Sequence, residues 1–527
     1  MEKLYMFDST LRDGAQSENV TFSVEDKLNI VRTLDEFGID YIEAGNPASN
    51  PKDLEFFKRI DELKLSHAKL VAFGSTRRRG VEVAYDKGVQ SIVSANTEAV
   101  AIFGKAWDMH VTKILGVTLE ENLAMIEDTV AYFAKLGKEV IFDAEHFFDG
   151  YKENPEYALK ALKAAERAGA SWVVLCETNG GCMPDEVYEI TKVAREAISV
   201  PVGIHCHNDS GCAVANSIMA VKAGATQVQG TFIGIGERCG NANLSTVIAG
   251  AQLKLGFNCV PVQSMPRLTS VARYIAEVAN ISISDNMPYV GKSAFAHKGG
   301  MHVDGVSKCS RSFEHIEPQS VGNERNILIS EVAGRTAILM RLSEVDPTLT
   351  KESPETQQVI DMLKQLEHEG YQFEAADASF ELRVLKQLKR FKSFFEIENF
   401  KIIGEKCEDG IGNLSSALIK IKVGEQYEIT ASEGNGPVNA IDKALRKALE
   451  VFYPSLGKVR LIDYKVRVMN TGAATAATTR VLMESTDGEE VWTTVGASAD
   501  IINASMVALV DSMEYKLYKE LRKHIIR

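Results

Sequence analysis

The 527-residue sequence contains no run of 18 apolar residues, and it opens Met-Glu-Lys-Leu-Tyr without the long apolar core of a signal peptide. A membrane span and an export signal are therefore not expected, and a cytoplasmic protein is. Cysteine is sparse: Cys176, Cys182, Cys206, Cys212, Cys239, Cys259, Cys309 and Cys407, with no CxxC pair. A disulfide framework and a thiolate zinc site are thereby disfavoured, and free thiols are expected. Positive charge is also short, since 59 Lys and Arg stand against 72 Asp and Glu and leave a net −13. Nucleic acid and anionic membrane are not expected as partners. Arg77, Arg78 and Arg79 form a local basic cluster, readable as a solvated loop or as a seat for an anionic substrate.

What remains is an ordinary globular composition, 45% apolar and 25% charged, on a chain long enough for about two or three domains. Over the first part of the chain, short β-rich runs alternate with helical patterns. The strand candidates are LYMFDS, YIEAGN, LVAFGS, SIVSAN, VIFDAE, WVVLCETN, PVGIHCHN and QVQGTF, eight in number. Ser23 with Asp26 reads as a box-like helix start, followed by an apolar stripe of Leu28, Val31, Leu34 and Phe37. Asn154-Pro155 reads as a second helix entry. Parallel strands with helical crossovers form either an open doubly wound sheet or a closed barrel. The unit count of eight and the polar residues at strand C-termini favour the barrel.

From about Val260 the alternation stops, and a mostly helical linker with the loop GKSAFAHKGGMHVDG follows. After about residue 400 the chain is β-rich again and repeats itself. Gly424, Glu425, Thr430, Asn439, Ala440, Ala444 and Leu445 match Gly488, Glu489, Thr494, Asn503, Ala504, Ala508 and Leu509 without a gap. Two similar strand–loop–helix halves are expected, with Asp487-Gly488 as a tight turn. The expected fold is α/β: a (β/α)8 TIM barrel over residues 1–260, a helical linker region over 261–400, and a C-terminal α+β domain with an internal repeat over 401–527.

Side chains alternate across a strand, so His205 and His207 of HCHND project to one side and Cys206 to the other. Barrel closure would bring Asp13, after the first strand, near this pair, and Asn241 of GERCGN lies just past the eighth strand. Asp13, His205, His207 and Asn241 make an N2O2 donor set without thiolate. Such a set favours Mn2+ or Mg2+ and also admits Zn2+ or Co2+. An octahedral ion so held keeps two positions for a 2-oxo acid, whose ketone it polarises.

LRDGAQ, HCHND and GIGERCGN, in this order, resemble the motifs of the DRE-TIM metal-dependent Claisen-condensing synthases and hydroxymethylglutaryl-CoA lyases. DSTLRDGAQSENVTFS, IEAGNPASNP, ETNGGCMPDE and AHKGGMHVDG are most similar to the citramalate synthase branch. The resemblance implies condensation of acetyl-CoA with pyruvate, hydrolysis of the thioester, and a C-terminal regulatory, dimerisation-type domain. It implies Asp13, His205, His207 and Asn241 as metal ligands and Arg12 as the oxyanion stabiliser. It implies proton transfer by Glu145 and His302, and substrate contact by Arg12, Gln16, Glu43 and Thr178. It further implies a homodimer and feedback by an amino acid, isoleucine. Phe313 stands where related enzymes often carry tyrosine. The rival readings are an isopropylmalate or homocitrate synthase, a metal-dependent lyase or aldolase, and a non-catalytic amino-acid sensor.

Overall fold

The computed structural model describes residues 2–48, 50–327, 342, 345–346, 348–350, 353–373, 376–406, 413–469 and 477–526. Cys407 lies outside them; the seven described cysteines are free thiols. No described helix is long and apolar enough to cross a membrane.

Two compact units divide the chain: Met1–Phe295 with His315–Arg325, and Ala296–Glu314 with Asn326–Arg527. The first holds eight parallel strands in a closed barrel, each paired with its neighbours in chain order. They are β1 (Tyr5–Asp8), β2 (Tyr41–Gly45), β3 (Lys69–Ser75), β4 (Ala99–Lys105), β5 (Glu139–Glu145), β6 (Trp172–Glu177), β7 (Val202–Cys206) and β8 (Gln227–Gly230). Closure runs through β1 and β8, from Tyr5 opposite Gln227 to Asp8 opposite Gly230.

The helix entries follow the sequence cues. Ser23 Oγ accepts the Asp26 N–H while Asp26 accepts the Ser23 N–H, at 3.1 and 2.8 Å. Asn154 caps the helix Pro155–Arg167 by accepting from Tyr157 N. One expectation fails. SIVSAN is not the fourth strand; it lies in and just beyond the helix Lys87–Ser94, capped by Asp86, which buries Val89 and Ile92. The strand is AVAIFGK, whose alanines have poor β propensity but fit a wall buried on both faces.

The inward-facing rows of the barrel change character from bottom to top. At the N-terminal end Phe7, Tyr41, Ile141, Trp172 and Val174 form a closed apolar floor. Trp172 sits edge-on to Tyr5 and Tyr41, and its Nε1 and the Tyr41 hydroxyl both donate to Glu139. Two residues beyond Ile141 on β5 stands Asp143 and then Glu145, while His205 of β7, with Thr178 and His207 just past the ends of β6 and β7, completes the polar layer. Strand alternation thus stacks a polar layer on a packed floor at the C-terminal mouth.

The second unit contains the two-residue strands β9 (Ala296–His297) and β10 (Asn326–Ile327), then two three-stranded antiparallel sheets. One is β11 (Glu396–Lys406), β12 (Asn413–Val423) and β13 (Gln426–Gly434), followed by the helix Pro437–Glu450. The other is β14 (Arg460–Val468), β15 (Thr479–Thr486) and β16 (Val491–Ser498), followed by the helix Ile501–Ile526. The repeat is reproduced to the hydrogen bond: Thr430 Oγ1 donates to Ala444 O at 2.7 Å, and Thr494 Oγ1 to Ala508 O at 2.8 Å. Gly424 and Gly488, at φ +60° and +93°, turn the equivalent hairpins.

Candidate active site

After β1 the chain folds back on Ser9, whose carbonyl accepts the N–H groups of Arg12, Asp13 and Gly14 at 3.2, 2.9 and 3.0 Å. This turn aims Arg12 and Asp13 across the barrel mouth. Glu43 orients the guanidinium: its Oε2 accepts from Arg12 Nε at 2.7 Å and from Ser9 Oγ at 2.5 Å. The guanidinium also lies 3.9 Å above the centre of the Phe73 ring and donates to Asp13 Oδ2 at 3.1 Å. Arg12 is thus fixed on three sides.

The two histidines approach Asp13 from β7. His205 Nε2 and His207 Nε2 lie 3.4 and 3.8 Å from Asp13 Oδ2, all three side chains being buried. One potential donor atom from each falls within 4.8 Å of the others. Asn241 joins them because the backbone of His207 bridges to it. That bridge needs the glycines of GIGERCGN: a Cβ on Gly236 would meet Asn241 Nδ2 at 2.1 Å, and one on Gly240 would meet Gly234 O at 2.0 Å.

Asp13 Oδ1, His207 Nδ1 and Asn241 Oδ1 are buried with no hydrogen-bond partner among the described residues. Buried polar atoms ordinarily have partners, so the unpartnered oxygens of Asp13 and Asn241, on the residues that flank His207, leave lone pairs for a cation. The electrostatics agree at Asp13 and His207, while at His205 the effect of burial is outweighed by Asp13, which raises it. Burial pushes the Asp13 carboxyl up, but Arg12 and both histidines outweigh it and hold it well below the usual carboxylate range. Burial and the neighbouring His205 lower His207 to about 4, so its imidazole is neutral near pH 7. An ionised carboxylate and a neutral imidazole are the ligand forms a divalent metal needs. The residues present fit the group.

A cavity of about 230 Å³ opens over this set and brings together Arg12, Asp13, Gln16, Glu145, Thr178, His205 and His207. Glu145, ending β5, pairs with Lys105 of β4. Thr178 Oγ1 accepts the His146 N–H at 2.9 Å. Sequence reasoning missed three further groups, Asp143 and Arg238 on the wall and Gln229 behind it. Asp143 sits two residues before Glu145 and thus on its face of β5; burial and Glu43 push its carboxyl up to about 7. Gln229 of β8 contacts both Asp143 and His205. Arg238 binds Asp209 through Nε at 2.8 Å and Nη2 at 3.0 Å, and Nη2 also donates to Thr178 O at 2.7 Å. This clamp ties the loops after β6, β7 and β8, and it holds Arg238 at φ +57°, a strained value for a long side chain.

His302 is carried by the second unit, exposed in the helix Gly300–Lys308 and stacked on Phe313 with centroids 4.2 Å apart. The arginine cluster is largely neutralised by its neighbours. Arg77 pairs with Glu121 and Asp128, Arg78 with Asp86, and Arg79 donates to Gly116 O.

Residues 3–273 match the HMGL-like family model, residues 289–371 the homocitrate synthase post-HMGL domain-like model, and residues 374–517 the LeuA allosteric (dimerisation) domain. The chain is 52% identical over 526 residues to a curated protein named (R)-citramalate synthase from Aquifex aeolicus, covering 100% of both. It is 50% identical to one of the same name from Geobacter sulfurreducens, covering 98% of both. A third, from Synechocystis, is 48% identical over 98% of this chain and 96% of that one.

Proposed function

The chain belongs to the HMGL-like family, among the (R)-citramalate synthases, and from that premise we propose how its own residues carry the reaction. It is an acyltransferase that condenses acetyl-CoA with pyruvate and hydrolyses the resulting thioester, consuming one water and releasing citramalate and CoA. The observation that carries the assignment of roles is the convergence of Asp13, His205 and His207 on one point beside Arg12 and Glu145. A divalent cation held by these three and Asn241, with Mn2+ or Mg2+ favoured by the N2O2 set, supplies Lewis-acid polarisation of the pyruvate ketone.

The remaining work falls to the protein. Arg12, held by Glu43 and Phe73, donates hydrogen bonds to the oxygen that becomes an alkoxide as the new C–C bond forms. Glu145 accepts a proton from the acetyl methyl group, and Lys105 of the neighbouring strand pairs with it. The Thr178 oxygen already accepts the His146 N–H, which leaves its own proton for the carboxylate of pyruvate. Gln16 lines the same wall. His302 is proposed to assist proton transfer. The second unit is proposed to pair the chain into a homodimer and to bind isoleucine as a feedback effector. The seven free thiols are in keeping with a reducing cytoplasm.

Thiol release from acetyl-CoA, followed with a panel of 2-oxo acids before and after chelation, tests the whole reading. Turnover is expected with pyruvate, with loss on chelation and recovery on adding Mn2+. Faster turnover with 2-oxoisovalerate or 2-oxoglutarate would move the substrate to a longer 2-oxo acid. Chelator-insensitive turnover would remove the metal from the reaction.

A further inference from the structure

His205 differs from His207 in what stands behind it. His205 Nδ1 lies 3.0 Å from Gln229 Oε1, and Gln229 Nε2 lies 3.1 Å from Asp143 Oδ1. All three side chains are buried. His207 Nδ1 has no partner among the described residues. The relay crosses the barrel interior from β5 to β8 to β7, beneath the proposed metal set.

An imidazole ligates a metal through a nitrogen that bears no hydrogen, so one ring nitrogen must be chosen and the other protonated. A primary amide can make that choice only if it is itself prevented from turning over, because its two ends have opposite hydrogen-bonding sense. In its ionised form, the one present above about pH 7, the Asp143 carboxylate only accepts, so it takes the N–H of the Gln229 amide. Oε1 is then left facing His205 and can only accept. Nδ1 must carry a hydrogen, so Nε2, the atom facing Asp13, is the nitrogen left to give its lone pair to a cation.

We propose that Gln229 and Asp143 are positioning residues that preset the His205 tautomer for cation binding, acting before any substrate arrives. The inference rests on the metal-site reading above. It also makes the two histidines unequal: His205 is prepared for the cation by the fold, whereas His207 is not. Outer groups of this kind typically change metal affinity by about 10- to 100-fold.

The test needs no turnover. Mn2+ affinity of the full-length chain is measured by calorimetry, alongside long-range 15N spectra of the metal-free, 15N-histidine-labelled protein, with the His205 signals assigned by their loss in His205→Gln. At about pH 8, where Asp143 is ionised, the native chain is expected to show a protonated Nδ1 at His205. Gln229→Leu keeps the bulk but removes the acceptor. It is expected to weaken Mn2+ binding by about 10- to 100-fold and to shift the ring toward the other tautomer. Gln229→Glu, which retains an acceptor facing Nδ1, is expected to restore both. Asp143→Asn, which frees the amide to turn, is expected to give mixed tautomers. Circular dichroism confirms that each variant is folded. If Gln229→Leu binds Mn2+ as the native chain does, or keeps the native tautomer, the proposal fails while the metal site stands. If the native chain binds no Mn2+, the site reading fails and the inference with it.

Discussion

Asp13 carries two loads, since it is both the anionic partner of Arg12 and the carboxylate that faces His205 and His207. Asp13→Ala should abolish stoichiometric Mn2+ binding in calorimetry and reduce turnover by at least about 10³-fold, because it removes a proposed ligand and releases Arg12. Glu145→Gln separates the proton step from binding. Its kcat is expected to fall about 10²- to 10⁴-fold, with KM for pyruvate within a few-fold of native, as steady-state thiol release will show. Most of this site was legible in the sequence because its motifs sit where strands end. Asp143 and Gln229 were harder to see, although the alternation that put His205 beside His207 also puts Asp143 on the face of Glu145. They escaped because single polar residues inside strands carry no spacing signal, and their meaning appears only when three strands stand side by side. Glu43 pairs with Arg12 and thereby orients it.

The elements succeed or fail by their ends. Ser23 and Asn154 announced their helices because a cap is a local hydrogen bond that four consecutive residues can specify. The fourth strand was misplaced because Ser91–Asn96 carries the β-branched pair Ile92-Val93, which with Val89 makes a helical stripe, while the strand itself interleaves Ala99, Ala101 and Gly104 with its larger residues. Its pairing with β3 and β5 is a non-local fact. Asp35 illustrates how an element end is secured. From the last turn of the helix Val24–Phe37 it accepts the N–H groups of Ser66, His67 and Ala68, at 3.0, 2.8 and 2.7 Å, and so docks the loop that enters β3. Burial pushes this carboxyl up, but those hydrogen bonds outweigh it and hold it below its ordinary value. A carboxyl lowered in the folded state contributes stability above its unfolded pKa of about 3.9 and loses it as the pH falls through the folded value. Asp35→Asn is therefore expected to cost about 1–3 kcal/mol at pH 7 in urea unfolding. The gap from the native chain should narrow as the pH is lowered from 5 toward 3, and a gap that widened on acidification would contradict the assignment.

At the scale of the whole molecule, the repeat in the second unit is the feature with most bearing on control. Its two sheets bury Ile419, Ile421, Val481 and Met483 against their helices, while Ile403, Leu418, Tyr427 and Ile429 of the first sheet remain exposed. These exposed apolar residues share their face with Lys420 and Lys422, within residues 374–517 that match the LeuA allosteric (dimerisation) domain. Isoleucine added to the full chain is expected to slow thiol release and to raise Tm, the signature of a ligand bound to the folded state. Inhibition that persisted in a chain truncated after residue 400 would locate the effector elsewhere.

The barrel closes where β1 meets β8, and the four proposed donors straddle that seam: Asp13 follows its first strand, His205 and His207 belong to the next-to-last, and Asn241 follows the last. A cation seated there rivets together segments more than half of the barrel sequence apart. Loading the proposed cation is therefore expected to raise Tm as well as to prepare the chemistry, and a chelator to reverse both.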